Sequence, residues 1–305
     1  KKAQKLLYEP ESLGDFVGQE QAKEQIKTAV KIIKQLRPVN ILLNGWPGCG
    51  KTTLGRIAAK MLDAHFIYRV PEQLDDVDGL LEVINFIQSN EKLTVFMVDE
   101  IHSLNEFPRV ANVLLPILQD WKYGDTDIRP FVMIGATTDK DRLVKKQAAL
   151  VSRFQIQITL DKYKPAELKT IIKNYRESIY REHKVSDKDY NIIAQNSRGI
   201  PREAIALLLK QLVVQDIDET LRQSGIIQDG LTKIDLKILG ALSENSKPMG
   251  ASYLSQAVGI TQSDYEQIYE RFLVEEGLIC RQARGRMITE KGKQLLKTIS
   301  ERINS

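Results

Sequence analysis

The sequence predicts an α/β fold: a doubly wound, parallel-sheet core, then a helical segment, then a C-terminal winged helix. Three observations predict it. Gly45-Trp46-Pro47-Gly48-Cys49-Gly50-Lys51-Thr52 fits the phosphate-loop pattern G-x-x-x-x-G-K-[ST], set between an apolar run and a helical-period segment. A second β-branched run, Leu93 to Val98, delivers two carboxylates, Asp99 and Glu100, at its end. Residues 231–303 read as three helices, a glycine-turned hairpin and a last helix.

Val39-Asn40-Ile41-Leu42-Leu43 reads as a buried strand, and Thr53 to Leu62 continues at helical spacing. The loop between them places Gly45, Gly48 and Gly50 where backbone N–H groups must close around an anion at a helix N-terminus. Gly45, Trp46, Pro47, Gly48, Cys49, Gly50, Lys51, Thr52 and Thr53 are therefore candidate nucleotide contacts. Lys51 is expected at the β/γ-phosphates of ATP and the Thr52 hydroxyl on Mg2+. Asp99 is the second candidate metal ligand. Glu100 is the candidate group that polarises the attacking water, because phosphoryl transfer needs an oriented nucleophile. His102 follows closely, but with Glu100 in the basic role it reads as a structural neighbour.

A third strand, Pro130 to Ala136, ends in Thr137-Thr138, where a hydroxyl between the two motifs is placed to bond the water or the γ-phosphate. Arg153 stands just before a short strand, Gln155 to Ile158, a position open either to an arginine acting on a neighbouring subunit's nucleotide or to a surface ion pair. From Pro165 to Gln215 the apolar period is helical, with starts at Pro165, Asp187 and Pro201. Arg202, at the beginning of the third of these helices, is placed to reach back to a γ-phosphate.

In the last segment, Ser252–Val258 and Thr261–Glu276 flank a tight Gly259-Ile260 turn, a helix-turn-helix spacing. The following hairpin turns through Ala283-Arg284-Gly285-Arg286. From Arg281 to Lys297 there are six basic residues against one acid, so Arg281, Arg284 and Arg286 are candidate DNA contacts. The expected recognition helix carries Asp264, Glu266, Glu270, Glu275 and Glu276 against Arg271, which disfavours deep major-groove insertion and points to the wing.

Composition agrees with a globular protein: 42% hydrophobic, 28% charged, formal net charge +4. There is no apolar run of about 18 residues, so no membrane span is expected. The basic opening Lys1-Lys2-Ala3-Gln4-Lys5 is not followed by a signal-peptide pattern. Cys49 and Cys280 have neither metal-site nor disulfide spacing, which fits a cytoplasmic protein.

Taken in order, the phosphate loop, Asp99-Glu100-Ile101-His102, Gly135-Ala136-Thr137-Thr138, Arg153-Phe154 and Ser197-Arg198-Gly199-Ile200-Pro201-Arg202 resemble an AAA+ ATPase. More narrowly they resemble the RuvB family of bacterial Holliday-junction branch-migration motors, from about residue 10 to 297, with a matching lead-in at Ser12 to Glu20. The resemblance implies an AAA+ core over 1–160, a helical lid over 161–229 and a DNA-binding winged helix over 230–305. It implies sensor-1 duty for Thr138, an arginine finger at Arg153 and sensor 2 at Arg202. Phe16, Val17 and Tyr163 fall where the family packs adenine, and Pro201 beside Arg202 where the lid meets nucleotide. It also implies a hexameric ring on branched or duplex DNA. In that family a RuvA-type partner docks on a long β-hairpin before the sensor-1 strand. Here residues 122–129 alone separate Trp121 from Pro130, a tight turn at most, which argues against that docking. An ATP-switched loader that places another protein on DNA is the alternative expectation.

Overall fold

The computed structural model describes residues 9–74 and 77–304; the basic opening segment lies outside the described residues. The chain divides into two compact units. The first runs up to Lys184 and includes Gly199–Ile205; the second comprises Val185–Arg198 and Ala206–Ser305.

The first unit is built on five parallel strands: β1 (Ile41–Gly45), β2 (His65–Arg69), β3 (Thr94–Val98), β6 (Val132–Thr137) and β7 (Ile156–Leu160), in the order β2-β3-β6-β1-β7. Two very short strands, β4 (Lys122–Tyr123) and β5 (Thr126–Asp127), form a separate exposed hairpin. Strands β3 and β6 are buried at every residue, as strands covered on both faces must be, and their sequences are continuous apolar runs rather than alternating ones. Strand β2, on the edge, is only half-buried.

Helices α1 (Glu20–Gln35), α2 (Lys51–Met61), α3 (Val77–Ser89), α4 (Pro108–Asp120), α5 (Lys140–Val151) and α6 (Pro165–Ile179) complete this unit. In α1 the buried residues Ala22, Ile26, Ala29, Val30 and Ile33 lie on one helical stripe. Helices α3, α4 and α5 share a core with the sheet around Leu42, Phe96, Leu114, Phe131, Met133 and Phe154. The topology places β6 between β3 and β1. The C-terminal ends of three neighbouring strands therefore carry Asp99-Glu100, Thr137-Thr138 and the phosphate loop side by side, at the edge where such sheets bind ligands.

The next two helices, α7 (Asp187–Gln195) and α8 (Pro201–Val214), start at the residues expected from sequence. Ser186 caps α7 by accepting from the Asp189 N–H at 3.0 Å.

The second unit ends in the winged helix. Lys233–Ser243 and Ala251–Val258 are helices, and Gly259 closes the latter in the left-handed conformation at φ 76°. The expected helix 261–276 departs from regularity: Tyr265–Glu270 is a π-helical turn between short α-helical pieces. The wing pairs Ile279–Gln282 with Gly285–Ile288, and Met249 joins it through two backbone hydrogen bonds with Arg286. Gly285 is required there, since a Cβ would lie 2.5 Å from the Met249 carbonyl oxygen.

A buried ion pair organises this unit. Asp235, fully buried, receives the Arg198 guanidinium, the Thr232 hydroxyl at 2.6 Å and the Thr232 N–H at 2.7 Å. Arg198 also donates to the Gly230 carbonyl at 2.8 Å and lies 4.1 Å above the Phe272 ring. Removing one partner strands a charge in low dielectric, so Arg198→Met should destabilise the second unit by about 3 kcal/mol. Urea denaturation monitored by a probe in that unit checks this; an unchanged midpoint refutes it.

Candidate functional site

Lys51 sits at the first residue of α2, directly after Gly50, and its side chain is buried. Its ammonium donates to the carbonyls of Gly45 at 3.0 Å and Trp46 at 3.1 Å, folding the loop back over the helix start. Gly48 adopts φ +79°, and a Cβ on it would come 2.7 Å from the Arg202 Cβ, so only glycine lets the α8 segment close on the loop.

Lys51, Gly48, Gly50 and Arg202 line a cavity of about 470 Å³ within the first unit. Of the expected site residues, Phe16, Val17, Pro47, Gly48, Cys49, Gly50, Lys51, Thr52, Thr53, Asp99, Glu100, Tyr163, Pro201 and Arg202 line it. Glu9, Pro10, Asp15, Ile171, Asn174, Tyr175 and Ile205 line it as well. Sequence reasoning misses these seven; periodicity marks Ile171 and Tyr175 only as apolar positions of a helix. The wall carrying Phe16 and Tyr163 is tied together by backbone: the Gln19 side-chain amide bonds the carbonyl and N–H of Asp161 at 2.7 and 3.1 Å, and Lys23 donates to the Phe16 carbonyl at 3.0 Å. Tyr163 donates its hydroxyl to the Cys49 carbonyl at 3.2 Å, and burial pushes its phenol far above the ordinary range.

Four expected site residues lie outside the cavity lining, and the first, Gly45, instead gives its carbonyl to the Lys51 ammonium. Thr138 acts on Glu100: its hydroxyl donates to Glu100 Oε2 at 2.7 Å and its N–H at 3.3 Å. Trp46 is buried, with the Lys162 ammonium 4.6 Å from its ring centre, a cation–π contact that accounts for a large aromatic in the loop. Arg153 stands half-buried at the N-terminal side of β7 and bonds the Gln119 side chain. Its carbonyl is held by buried Asn40, which also accepts from the Met133 N–H at 3.1 Å.

The carboxylates are held differently. Asp99 Oδ2 accepts from the Thr52 hydroxyl at 3.1 Å and the Tyr68 hydroxyl at 3.2 Å, and Oδ1 accepts from the Glu100 N–H at 3.0 Å. Thr52 and Asp99 thus present hard oxygen donors side by side, which suits Mg2+. Glu100 itself has φ 45°, rare for a non-glycine residue. His102 Nδ1 lies 3.3 Å from Glu100 Oε2 and 3.0 Å from the Thr137 hydroxyl. Burial holds His102 below the ordinary histidine range against the pull of Glu100, so near neutral pH this is a contact of an uncharged imidazole.

At the wing, Arg284 occupies the exposed turn. Arg281 and Arg286 converge instead on Glu270, a fully buried carboxylate at the end of the π-helical turn. Arg286 grips it with two hydrogen bonds, 2.9 and 3.0 Å.

Comparison with known proteins gives a consistent picture. The family model described as the Holliday junction DNA helicase RuvB P-loop domain matches residues 8–160, and that described as the RuvB C-terminal winged helix domain matches 228–297. The RuvB subunit of the Holliday junction branch migration complex of Fervidobacterium nodosum is 32% identical, over 94% of this chain and 88% of its own. That of Mycoplasmopsis pulmonis is 31% identical, over 97% of this chain and all of its own. The Thermotoga maritima RuvB Holliday junction branch migration motor superposes with a TM-score of 0.80 at 32% identity, covering 94% of this chain and 97% of that one.

The contacts of Glu100 lead to a direct expectation. Glu100→Gln keeps the size and the Thr138 contact but removes the basic oxygen. Nucleotide affinity should stay unchanged while ATP turnover falls by about 10²- to 10⁴-fold. Equilibrium binding of a fluorescent ATP analogue, alongside a steady-state phosphate-release assay, measures both; normal turnover would remove Glu100 from the base role.

Proposed function

The chain belongs to the RuvB family, and from that premise we propose that it is an ATP-driven DNA motor that remodels branched or duplex DNA in recombination and repair. The observation that carries this reading is that the family match spans both ends of one chain, the ATPase core at 8–160 and the winged helix at 228–297. It is an AAA+ ATPase, and among its described residues no helix is long and apolar enough to cross a membrane. We place its work on DNA in the cytoplasm.

In this reading the phosphates of ATP lie along the N–H groups of residues 45–52, with Lys51 at the β/γ-phosphates. Thr52 and Asp99 are the residues that would hold Mg2+, which when bound offsets phosphate charge. Phe16, Val17 and Tyr163 pack the base. Glu100 orients the attacking water, and Thr138 restrains Glu100 until nucleotide competes for it. Arg202 senses the γ-phosphate from the start of α8. Arg153, outside its own cavity, is the finger offered to a neighbouring subunit, which requires a ring and, by family, a hexamer. We divide the labour among a core over 1–160, a lid over 161–229 and a DNA-gripping winged helix over 230–305, with Arg281, Arg284 and Arg286 facing DNA.

One observation favours a second reading, an ATP-switched loader. The hairpin Lys122–Asp127 is reduced to two residues per strand around Gly124-Asp125, so a partner of the RuvA type lacks the long hairpin on which it would dock. The test is dissociation of a synthetic four-way junction by the purified protein alone, with Lys51→Ala as control. ATP- and Lys51-dependent dissociation is expected. DNA-stimulated ATPase without dissociation would favour the loader.

Sharing of the site has its own test. Arg153→Ala should bind ATP normally and lose about 10³-fold in turnover. Mixing it with Lys51→Ala protein should restore part of the activity, measured over a range of ratios; a mixture no more active than its components would count against a finger in trans.

A further inference from the structure

Tyr68 belongs to no motif and lies on the half-buried edge strand β2, yet its hydroxyl reaches the Asp99 carboxylate. Strand β2 pairs in parallel with β3, setting Tyr68 opposite Met97 and Arg69 opposite Val98. The ladder continues one step past β3, where the Asp99 N–H donates to the Arg69 carbonyl at 3.0 Å. The backbones carrying Tyr68 and Asp99 are therefore locked to each other by sheet hydrogen bonds.

That locking brings the Tyr68 hydroxyl to 3.2 Å from Asp99 Oδ2, the same oxygen that accepts from Thr52 at 3.1 Å. The other carboxylate oxygen is held by the Glu100 N–H at 3.0 Å. The outer torsion of an aspartate is intrinsically broad. Here three donors from three directions define it. Thr52 and Asp99 face the nucleotide cavity, whereas Tyr68 is not part of its lining. Tyr68 is thus placed behind the carboxylate, where it can fix the carboxylate without occupying a ligand position.

We propose that Tyr68 is a positioning residue for the metal site: its phenol holds Asp99 in the orientation that pairs it with Thr52. This rests on the reading of Thr52 and Asp99 as the Mg2+-holding residues. Partners that hydrogen-bond a ligating carboxylate from outside fix its direction and typically change metal affinity by 10- to 100-fold when removed. No periodicity or motif singles out a tyrosine in His65-Phe66-Ile67-Tyr68-Arg69; only the pairing of β2 with β3 does.

The test uses the full chain and a fluorescent, non-hydrolysable ATP analogue titrated at a series of Mg2+ concentrations, for wild type, Tyr68→Phe, Tyr68→His and Lys51→Ala. Thermal melting verifies that each variant is folded. Tyr68→Phe should bind the analogue normally without Mg2+ and need about tenfold more Mg2+ for half-maximal tightening. ATP turnover should recover at saturating Mg2+. Tyr68→His, which retains a donor, should fall between the two. An unchanged Mg2+ midpoint in Tyr68→Phe overturns the proposal. So does an equal loss of analogue affinity with and without Mg2+, which would mean a merely structural role. Wild-type affinity in Lys51→Ala would instead overturn the nucleotide-site reading beneath it.

Discussion

A buried ammonium is the constraint on which the rest of the first unit depends. Lys51 lies inside the protein, and an unsatisfied charge there is expensive, so the carbonyls of Gly45 and Trp46 must turn inward to meet it. The loop so curled, with the Cys49 N–H also bonded to the Trp46 carbonyl at 3.3 Å, runs straight into the N-terminus of α2, the kind of helix start that favours an anion. The curl requires left-handed backbone at Gly48 and Gly50, and those glycines also leave room for Arg202 and for the Phe16 ring. The parallel sheet supplies the rest, because β3 and β6 end beside β1 and bring carboxylates and threonines to the same edge.

Much of this is legible in the sequence, for physical reasons. Strands buried on both faces must be apolar throughout, so β1, β3 and β6 stand out as runs, and the chemistry-bearing residues follow each run directly. Helices α6, α7 and α8 begin at Pro165, Asp187 and Pro201 because proline and acidic residues suit a first turn. What escapes depends on pairing rather than pattern. The neighbourhood of Tyr68 and Asp99 follows from strand order, which periodicity does not encode. Asn40 reads as a polar interruption in a strand, yet it ties the starts of β1 and β6 to the Arg153 backbone. Trp46 reads only as one more loop residue, and its contact with Lys162 across the unit carries no sequence signal. The π-helical turn at Tyr265–Glu270 carries no compositional mark at all.

Glu100 shows how restraint is built from ordinary contacts. Its backbone is in a sparsely populated conformation, and its Oε2 is shared between the Thr138 hydroxyl and the neighbourhood of His102. Releasing a carboxylate from such a nest means exchanging hydrogen bonds, not crossing the full cost of exposing a bare charge. Thr137 bonds the imidazole and Thr138 the carboxylate, so one strand end steers both groups.

The grip of Glu270 on the wing has a consequence for ionic atmosphere. Counted in sequence, Arg281, Arg284 and Arg286 are three positive charges, but two of them already share a buried carboxylate, so the hairpin offers a polyanion a net charge of two. Counterions leave a phosphate backbone in proportion to the charge that replaces them, and a guanidinium already compensated from within displaces fewer. The wing therefore carries one exposed arginine at its turn, and on the proposed reading its hold on a strand should loosen only gently as salt is raised. If the chain is the motor proposed above, such a contact lets go readily, as an element taking successive positions along a chain of phosphates requires.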